Sequence, residues 1–170
     1  MSKAVSEHRA DAPKQLDLAV LTVSDTRTLE TDTSGALIVE LATAAGHSVV
    51  ARAIVPDEPD RMRPLLESYR DRGEVHAVLV TGGTGISPRD QTHETVSALL
   101  TKSLPGYGEL FRMLSFTEIG SAALLSRAVG GLMRDVVVLV MPGSRAGVQL
   151  AMEKIILPEL AHLVREARKK

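Results

Sequence analysis

Three glycines, Gly82, Gly83 and Gly85, fall within four residues directly after an apolar run, in the stretch VTGGTGISPRDQTHET. Glycine lets the backbone adopt positive φ and approach an anion closely, and successive N–H groups can then form an anion-binding concavity. The hydroxyls of Thr81 and Thr84 add hydrogen-bond donors to the same stretch. These residues predict a phosphate-binding loop; the alternative is a glycine-rich structural turn between a strand and a helix.

The spacing of these glycines matches neither common nucleotide-binding motif. A dinucleotide fingerprint requires G-x-G-x-x-G, and a P-loop requires G-x-x-x-x-G-K-[ST], whose lysine is absent here. A second loop, PGSRAG at residues 142–147, has a similar order of apolar strand, glycine turn, hydroxyl and helix start. Its first residues, Pro142, Gly143 and Ser144, are further candidates for phosphate binding, again with a plain structural turn as the alternative.

Three aspartates, Asp25, Asp57 and Asp90, each follow one of three predicted strands. In open α/β sheets, ligands bind beyond the carboxyl ends of the strands, so we expect these acids at one rim. Mg²⁺ is typically bound by one or two carboxylates together with substrate phosphates. The glycine loops and the acids therefore predict a Mg²⁺–phosphate site, with Asp57 and Asp90 as candidate ligands. The alternative role is helix N-capping, which we favour for Asp25 and Asp60.

The other polar candidates carry weaker signals. His93 lies near the predicted site, but as a polar residue at the start of a helix it does not need a catalytic role. Arg89 and Arg112 are candidates for phosphate contacts, with surface salt bridges as the alternative. Ser24 and Ser144 lack a Ser/His/Asp context and are expected to be hydrogen-bond donors, not nucleophiles. The chain has no cysteine, which excludes thiol nucleophiles, disulfides and zinc–thiolate sites.

The composition indicates one folded domain that binds neither nucleic acid nor membrane. The chain has 170 residues, of which 44% are hydrophobic, and a net charge of −1. Duplex nucleic acid is bound largely through excess positive charge, and the 2% of aromatic residues argue against a base-stacking surface. No apolar run approaches the ~18 residues of a membrane span, and the N-terminus lacks a signal-peptide core, which is compatible with the cytoplasm. We expect a flexible arm over residues 1–14 and a single domain over residues 15–170.

Apolar runs and helical patterns alternate along the chain, which predicts an α/β fold with a mostly parallel sheet. The cluster Met113, Leu114 and Phe116 is expected to be core or subunit contact, and Pro158 to break or kink the closing helix. The predicted strands are 18–23, 48–55, 75–81 and two within 124–144 that are joined near residues 134–135; the predicted helices lie within 36–46, 56–73, 91–100, 107–120 and 146–170.

Five motifs occur here in the order seen in the molybdenum-cofactor biosynthesis MoaB/MogA family: TVSDTR, VPDE, TGGTGISPRD, FRMLSFTEIGSAALLSRAVGG and MPGS. The resemblance covers about residues 16–163, and DQTHET and the ending MPGSRAG…AMEKIILPEL look closer to MoaB than to MogA. It implies a three-layer α/β/α domain that assembles as trimers or hexamers.

The resemblance also implies an activity, the Mg²⁺-dependent adenylylation of molybdopterin by ATP, which yields adenylyl-molybdopterin and pyrophosphate. The family's two key aspartates correspond to Asp57 and Asp90, as catalytic residues and Mg²⁺ ligands. An expected partner besides the two substrates is the molybdate-inserting enzyme of the same pathway. The alternative is a non-catalytic molybdopterin carrier or scaffold. The implied contacts to the pterin phosphate are Ser24, Asp25, Thr81, Gly82, Gly83, Thr84, Gly85, Pro142, Gly143 and Ser144.

Overall fold

The computed structural model describes residues 13–169, which form one six-stranded sheet. The strands are β1 Asp17–Val23, β2 Ser48–Val55, β3 Ala77–Thr81, β4 Lys102–Ser103, β5 Val129–Met133 and β6 Val136–Met141. They are arranged in the order β2-β1-β3-β6-β5-β4. The pairs among β2, β1, β3 and β6 are parallel, whereas β5 and β4 add an antiparallel edge.

Helices cover both faces of this sheet. They are α1 Thr33–Ala44, α2 Pro59–Asp71, α3 Thr92–Leu99, α4 Pro105–Ile119, α5 Arg145–Ala151 and α6 Leu157–Ala167. A 3₁₀ helix, Gly120–Leu125, follows α4, and a π-helical turn, Met152–Ile156, joins α5 to α6. One hydrophobic cluster packs α1, α4, α5 and α6 on the sheet, and a second cluster packs α2 and α3 on the opposite face. The fold therefore has three layers, α/β/α, as expected.

The central strands are buried on both faces, which explains their continuous apolar sequences. In β1, Leu18 and Val20 belong to one hydrophobic cluster, while Ala19 and Leu21 belong to the other. Side chains alternate across a strand, so two helical layers require apolar residues at every position. β2 lies at the edge of the sheet, and most of its residues are only half-buried.

The fold class is confirmed, and most predicted elements are present with shifted ends. The two-residue strand β4 and the 3₁₀ helix were not predicted, because neither is long enough to show a hydrophobic period. Pro158 does not break the closing helix, which continues from α5 through the π-helical turn into α6; the proline lies in the first turn of α6, directly after the π-helical turn. Proline has no N–H to donate within a helix, which favours such an irregular turn.

The register of the parallel strands brings four loops to one rim. Val23 pairs with Val55, and Thr81 pairs with both Thr22 and Met141. The chain therefore leaves β1, β2, β3 and β6 at nearly the same level, and residues 24–32, 56–58, 82–91 and 142–144 meet there. This is the rim at which the sequence predicts a ligand site.

The sequence also predicts a flexible N-terminal arm and no membrane-spanning segment. Residues 1–12 of the expected N-terminal arm lie outside the described residues, so the domain boundary stays a prediction. No helix within residues 13–169 is long and apolar enough to cross a membrane.

Candidate functional site

Gly82 and Gly83 both have positive φ, +104° and +62°, a conformation that other residues rarely adopt. A Cβ at Gly82 would overlap the carbonyl oxygen of Val23, and a Cβ at Gly83 would overlap Asp57 Oδ2 and Thr92 Oγ1. The two glycines are therefore required for two reasons, the backbone conformation and the absence of space for a side chain.

Gly85 makes room for the second predicted acid. A Cβ at this position would lie 2.7 Å from Asp90 Oδ2. That oxygen accepts a hydrogen bond from Ser87 N–H at 3.0 Å, which fixes the carboxylate against the loop. Gly83 and Gly85 thus each accommodate one carboxylate, those of Asp57 and Asp90. This arrangement gives a physical reason for a glycine spacing that fits neither nucleotide motif.

Asp57 is buried, and its carboxylate faces both donors and a like charge. Its Oδ1 accepts hydrogen bonds from Gln91 N–H at 3.1 Å and from Thr92 Oγ1–H at 3.2 Å. Burial raises the pKa of the Asp57 carboxyl, the two hydrogen bonds oppose that rise, and the negative charge of Asp90 adds to it. The net result is a pKa above the ordinary value, because no cation compensates the buried charge fully.

An exposed ion pair joins three of the loops beside Asp57. Arg89 Nε and Nη2 donate to the two oxygens of Asp25 at 2.9 and 2.6 Å, and Nη2 also lies 3.4 Å from Glu58 Oε1. Asp25 Oδ1 also accepts from Asp57 N–H at 3.2 Å. The hydrogen bonds from Arg89 and Asp57 lower the pKa of Asp25. For Arg89, the salt-bridge alternative is therefore the one observed.

The N-cap interpretations of Asp25 and Asp60 are wrong. The N-cap of α1 is Asp32, whose Oδ1 accepts from Gly35 N–H at 2.8 Å. Asp60 lies inside the first turn of α2, which begins after Glu58. Asp25 is held away from any helix end by Arg89, and a proline near the start of α2 removes the need for a cap at one position.

The loop after β6 packs directly on the glycine loop. A Cβ at Gly143 would lie 3.3 Å from Gly82 Cα, so the two backbones are in close contact. Thr81 Oγ1 donates to Pro142 O at 2.9 Å, and Ser34 Oγ donates to Gly143 O at 2.8 Å. The two predicted phosphate loops are therefore parts of one surface: the hydroxyl of Thr81 joins them, and the hydroxyl of Ser34 joins α1 to the loop after β6.

The two candidate serines stabilise their own turns. Ser24 Oγ accepts from the N–H groups of Thr26 and Arg27 at 3.3 and 3.2 Å. Ser144 Oγ caps α5 by accepting from Gly147 N–H at 3.1 Å. Each hydroxyl uses a lone pair in these bonds and keeps its own proton, so each can still donate to a ligand.

Two cavities adjoin the loops that meet at the contact between Gly82 and Gly143. The smaller, about 90 Å³, has a mixed polar and apolar surface and is lined by Ser24, Arg27, Asp32 and Ser34 among others. The larger, about 250 Å³, is mainly apolar and lies against Thr84, Pro142 and Ser144 of the two loops and Phe111, Ser115 and Leu125 of the neighbouring helices. Sequence analysis missed Arg27, Asp32 and Ser34; the only signal was the cap pattern of an aspartate three residues before a helical glycine.

Two of the weaker candidates, Arg112 and His93, form hydrogen bonds with backbone carbonyls of the protein. Arg112 Nη1 donates to Ala128 O at 3.3 Å, and His93 Nδ1 bonds to Arg127 O at 2.8 Å. His93 is in the first turn of α3, as expected for a polar residue at a helix start. Of the cluster expected to be core or subunit contact, Leu114 packs against the core, but Met113 and Phe116 are exposed.

The acidic residues fit a metal that takes most of its ligands from elsewhere. Within residues 13–169, no group of three or more His, Cys, Asp or Glu side chains is placed to hold a metal ion. Asp57 and Asp90 lie against one glycine loop, and the charge of Asp90 raises the pKa of Asp57. Two such carboxylates suit Mg²⁺, which commonly completes its shell with water and substrate phosphates.

Comparison with known proteins gave consistent matches over nearly the whole chain. A family model described as a probable molybdopterin binding domain matches residues 19–162. A protein of Bacillus subtilis (strain 168) named molybdenum cofactor biosynthesis protein B is 51% identical over 168 residues, which covers 98% of each chain. A crystal structure of a molybdenum cofactor biosynthesis protein B superposes with a TM-score of 0.91 at 49% identity and covers 94% of this chain and 100% of that one. The crystal structure of the tungsten cofactor synthesizing protein MoaB from Pyrococcus furiosus superposes with a TM-score of 0.81 at 36% identity, with coverage of 93% and 100%.

Proposed function

This chain belongs to the family described as a probable molybdopterin binding domain, and we propose that it acts in molybdenum cofactor biosynthesis as a molybdopterin adenylyltransferase. In the proposed reaction, a phosphate oxygen of molybdopterin attacks the α-phosphorus of ATP. The bond from that phosphorus to the bridging oxygen breaks, and pyrophosphate leaves with the electron pair. The products are adenylyl-molybdopterin and pyrophosphate.

One observation carries this proposal: Asp57 and Asp90 lie against Gly83 and Gly85 of a single loop, at the rim where the hydroxyls of Ser24 and Ser144 keep their own protons. A phosphate-binding surface next to two acids repels an anion unless a cation lies between them. Phosphoryl-type transfer depends mainly on positioning and on charge neutralisation, and it needs no protein nucleophile. The absence of cysteine from the chain is compatible with such a reaction.

Each part of the site has a task in this proposal. The backbone of residues 83–85 and the loop 142–144 bind the phosphate of molybdopterin, and Ser24 and Ser144 donate their free hydroxyl protons. The 250 Å³ cavity beside Thr84 offers an apolar surface to the organic part of a substrate. Asp57 and Asp90 would hold Mg²⁺, which supplies charge neutralisation at the phosphates of ATP and at the leaving pyrophosphate.

The test is an assay of the purified protein with molybdopterin, ATP and Mg²⁺, in which pyrophosphate and adenylyl-molybdopterin are both measured. Both products are expected in equal amounts. The Asp90→Asn variant, assayed under the same conditions, is the inactive control. Calorimetry with each substrate separates the alternatives. Tight binding of molybdopterin without binding of ATP and without product would identify a non-catalytic carrier or scaffold instead.

A homo-oligomer is part of the same proposal, and so are a cytoplasmic location and the molybdate-inserting enzyme of the pathway as a partner. The support for an oligomer is an apolar face on α4 and the 3₁₀ helix. Large contiguous apolar surfaces on soluble proteins mark interaction sites. Light scattering coupled to size exclusion tests this point: a trimer or hexamer is expected, and Phe116→Glu should reduce it to monomers. The exposed residues of this face are Leu110, Met113, Phe116, Ile119, Leu124 and Leu125.

A further inference from the structure

The loop between β3 and α3, residues 82–91, carries the three glycines and Asp90 but contains no helix or strand. Its internal bonds are short in range: Ser87 N–H donates to Asp90 Oδ2 at 3.0 Å, and Asp90 N–H donates to Ser87 O at 2.9 Å. Such turns define the local shape of a loop but not its position in the molecule. Placing Asp90 beside Asp57 therefore requires bonds between the loop and the rest of the chain, of which those from Arg89 to Asp25 and from Gln91 N–H to Asp57 Oδ1 are two.

Arg127, which lies between the 3₁₀ helix and β5, supplies two such bonds. Its backbone N–H donates to Thr84 O at 3.3 Å. Its side-chain Nη2 donates to Asp90 O at 3.0 Å. The same residue thus contacts the loop both at its glycine-rich start and at the residue that bears the second carboxylate.

The guanidinium of Arg127 is itself fixed by α3. Nη1 forms an ion pair with Glu94, and the side chain of Arg127 is only 25% exposed. His93 Nδ1 lies 2.8 Å from Arg127 O, and a carbonyl can only accept, so Nδ1 carries the proton and donates. A planar guanidinium can bond to two acceptors in a fixed geometry, whereas a lysine ammonium is a flexible point charge. Arg127 is therefore held by the same helix whose N-terminus the loop enters.

We propose that Arg127 is a positioning residue that holds the loop of residues 82–91 so that Asp90 lies beside Asp57. It touches neither carboxylate and acts through the backbone of the loop. The inference rests on the proposed function for the catalytic value of Asp90. The positioning itself can be measured without any turnover.

The first experiment is hydrogen exchange by mass spectrometry on the full chain, comparing wild type with Arg127→Ala. Loss of a charge-assisted hydrogen bond and an ion pair should speed exchange in residues 84–91 by roughly tenfold, which is ~1.4 kcal/mol in the opening free energy. The matched control is Arg112→Ala. Arg112 donates to the backbone carbonyl of Ala128, the residue after Arg127, at 3.3 Å. Within residues 13–169, no described bond joins Arg112 to the loop of residues 82–91. The control should leave exchange in residues 84–91 unchanged.

The second experiment is kinetic and uses the adenylyl-transfer assay. A displaced Asp90 should lower kcat by about 10- to 100-fold and raise the Mg²⁺ concentration needed for half-maximal rate. The KM for molybdopterin should change much less, because Arg127→Ala keeps the backbone N–H that bonds to Thr84 O at the glycine-rich start of the loop. Arg127→Lys should give intermediate values, because one amine can replace one of the two bonds. A purely structural role would instead change the free energy of unfolding without this split between kcat and KM.

The outcomes are separable. If wild type makes no product, the proposed function fails, and the exchange experiment still decides the role of Arg127. Unchanged exchange in residues 84–91 of folded Arg127→Ala overturns the positioning role. If Arg127→Ala does not fold, Arg127→Gln is judged by the same criterion. If neither variant folds while Arg112→Ala does, Arg127 is needed for stability, and the proposed positioning role is overturned.

Discussion

Asp32 and Asp57 are both buried at the carboxyl rim of the sheet, 2% and 5% exposed, yet their environments are opposite. Asp32 accepts from Gly35 N–H at 2.8 Å, Thr22 Oγ1–H at 2.8 Å and Arg52 Nη2 at 3.0 Å. Burial raises the pKa of Asp32, but these three donors more than offset it, and the net pKa is lowered. Asp57 has two neutral donors and a neighbouring carboxylate, and its pKa is raised.

The difference separates a structural carboxylate from one that is available for chemistry. The charge of Asp32 is compensated within the protein, and it ties α1 and β2 to the end of β1. The charge of Asp57 is compensated only in part, because the charge of Arg89 and two hydrogen bonds do not fully offset burial and the charge of Asp90. In the proposed function, a Mg²⁺ ion would complete this compensation. Each aspartate also has a glycine that makes room for it, because a Cβ at Gly35 would overlap Asp32 and a Cβ at Gly83 would overlap Asp57.

The largest expected effect is on turnover, in Asp57→Asn. Removal of the charge should lower the rate of adenylyl transfer by on the order of 10²–10³, as for other preorganised electrostatic groups. The same variant should be no less stable than wild type, because the neutral amide needs no compensating cation. A gain on the order of 1 kcal/mol in the free energy of unfolding corresponds to a Tm rise of about 2–4 °C. Product assays and calorimetric melting check the two parts. A wild-type rate would remove Asp57 from the mechanism.

The second expected effect is on stability, in Asp32→Ala. This variant loses the N-cap of α1, worth about 1 kcal/mol. It also leaves Thr22 Oγ1 without its acceptor and removes the carboxylate partner of Arg52, whose Nη2 keeps only its bond to Asp32 O, and this costs about 1–3 kcal/mol more. Urea unfolding should show a reduced free energy of unfolding with an unchanged m-value. Asp57→Ala provides the comparison, since it should reduce turnover strongly and the free energy of unfolding less than Asp32→Ala does. A larger loss of stability in Asp57→Ala than in Asp32→Ala would contradict the assignment of roles.

Alanine at either partner glycine should reproduce the defect of the aspartate that it accommodates. Gly83→Ala places a side chain at positive φ against Asp57, at a cost of about 1–2 kcal/mol from the backbone alone, and should displace the Asp57 carboxylate and abolish turnover. Gly35→Ala should weaken the cap and the Arg52 pair and lower Tm, with turnover largely kept in the folded fraction. Equal effects of both variants on turnover per folded molecule would break the distinction between the two sites.

The smallest expected effect is on the pH dependence of stability. The contributions of Asp57 and Asp32 to the free energy of unfolding should change with pH in opposite directions. A raised pKa in the folded state means that Asp57 favours folding below its ordinary pKa and loses that contribution as pH rises through the raised value. The excess Tm of Asp57→Asn should therefore be present at neutral pH and vanish in acid. Asp32 stabilises above its ordinary pKa and loses that contribution as pH falls through its lowered value. The Tm deficit of Asp32→Asn should thus persist to lower pH than the excess of Asp57→Asn; melting curves from neutral pH to about pH 3 compare the two.

The same contrast explains which residues could be found from the sequence. Asp57 lies two residues after the end of β2, and Asp90 lies at the end of the glycine-rich stretch that follows β3, so the alternation of strands and helices and the glycine pattern were enough to bring them to one rim. Asp32 is as far from the end of β1 as Asp90 is from the end of β3, nine residues in each case, but no glycine pattern marks its loop. Its partner Arg52 is in β2, where the pattern shows only a polar residue in a strand. Arg127 lies outside the loops that follow parallel strands, so no rule about strand ends selects it.

The sequence by itself determined the α/β class, the parallel core, the glycine-rich loop and the two acids of the proposed site, because these depend on period, turn chemistry and strand ends. It could not decide that Gly83 and Gly85 accommodate carboxylates, that Arg89 is bound by Asp25, or that Arg127 holds the loop of Asp90. The contacts of Gly83 with Asp57, Arg89 with Asp25 and Arg127 with Asp90 join residues 26 to 64 positions apart, and only packing brings these groups within reach of one another. Long-range polar contacts depend on distances of a few tenths of an ångström, which no one-dimensional pattern contains.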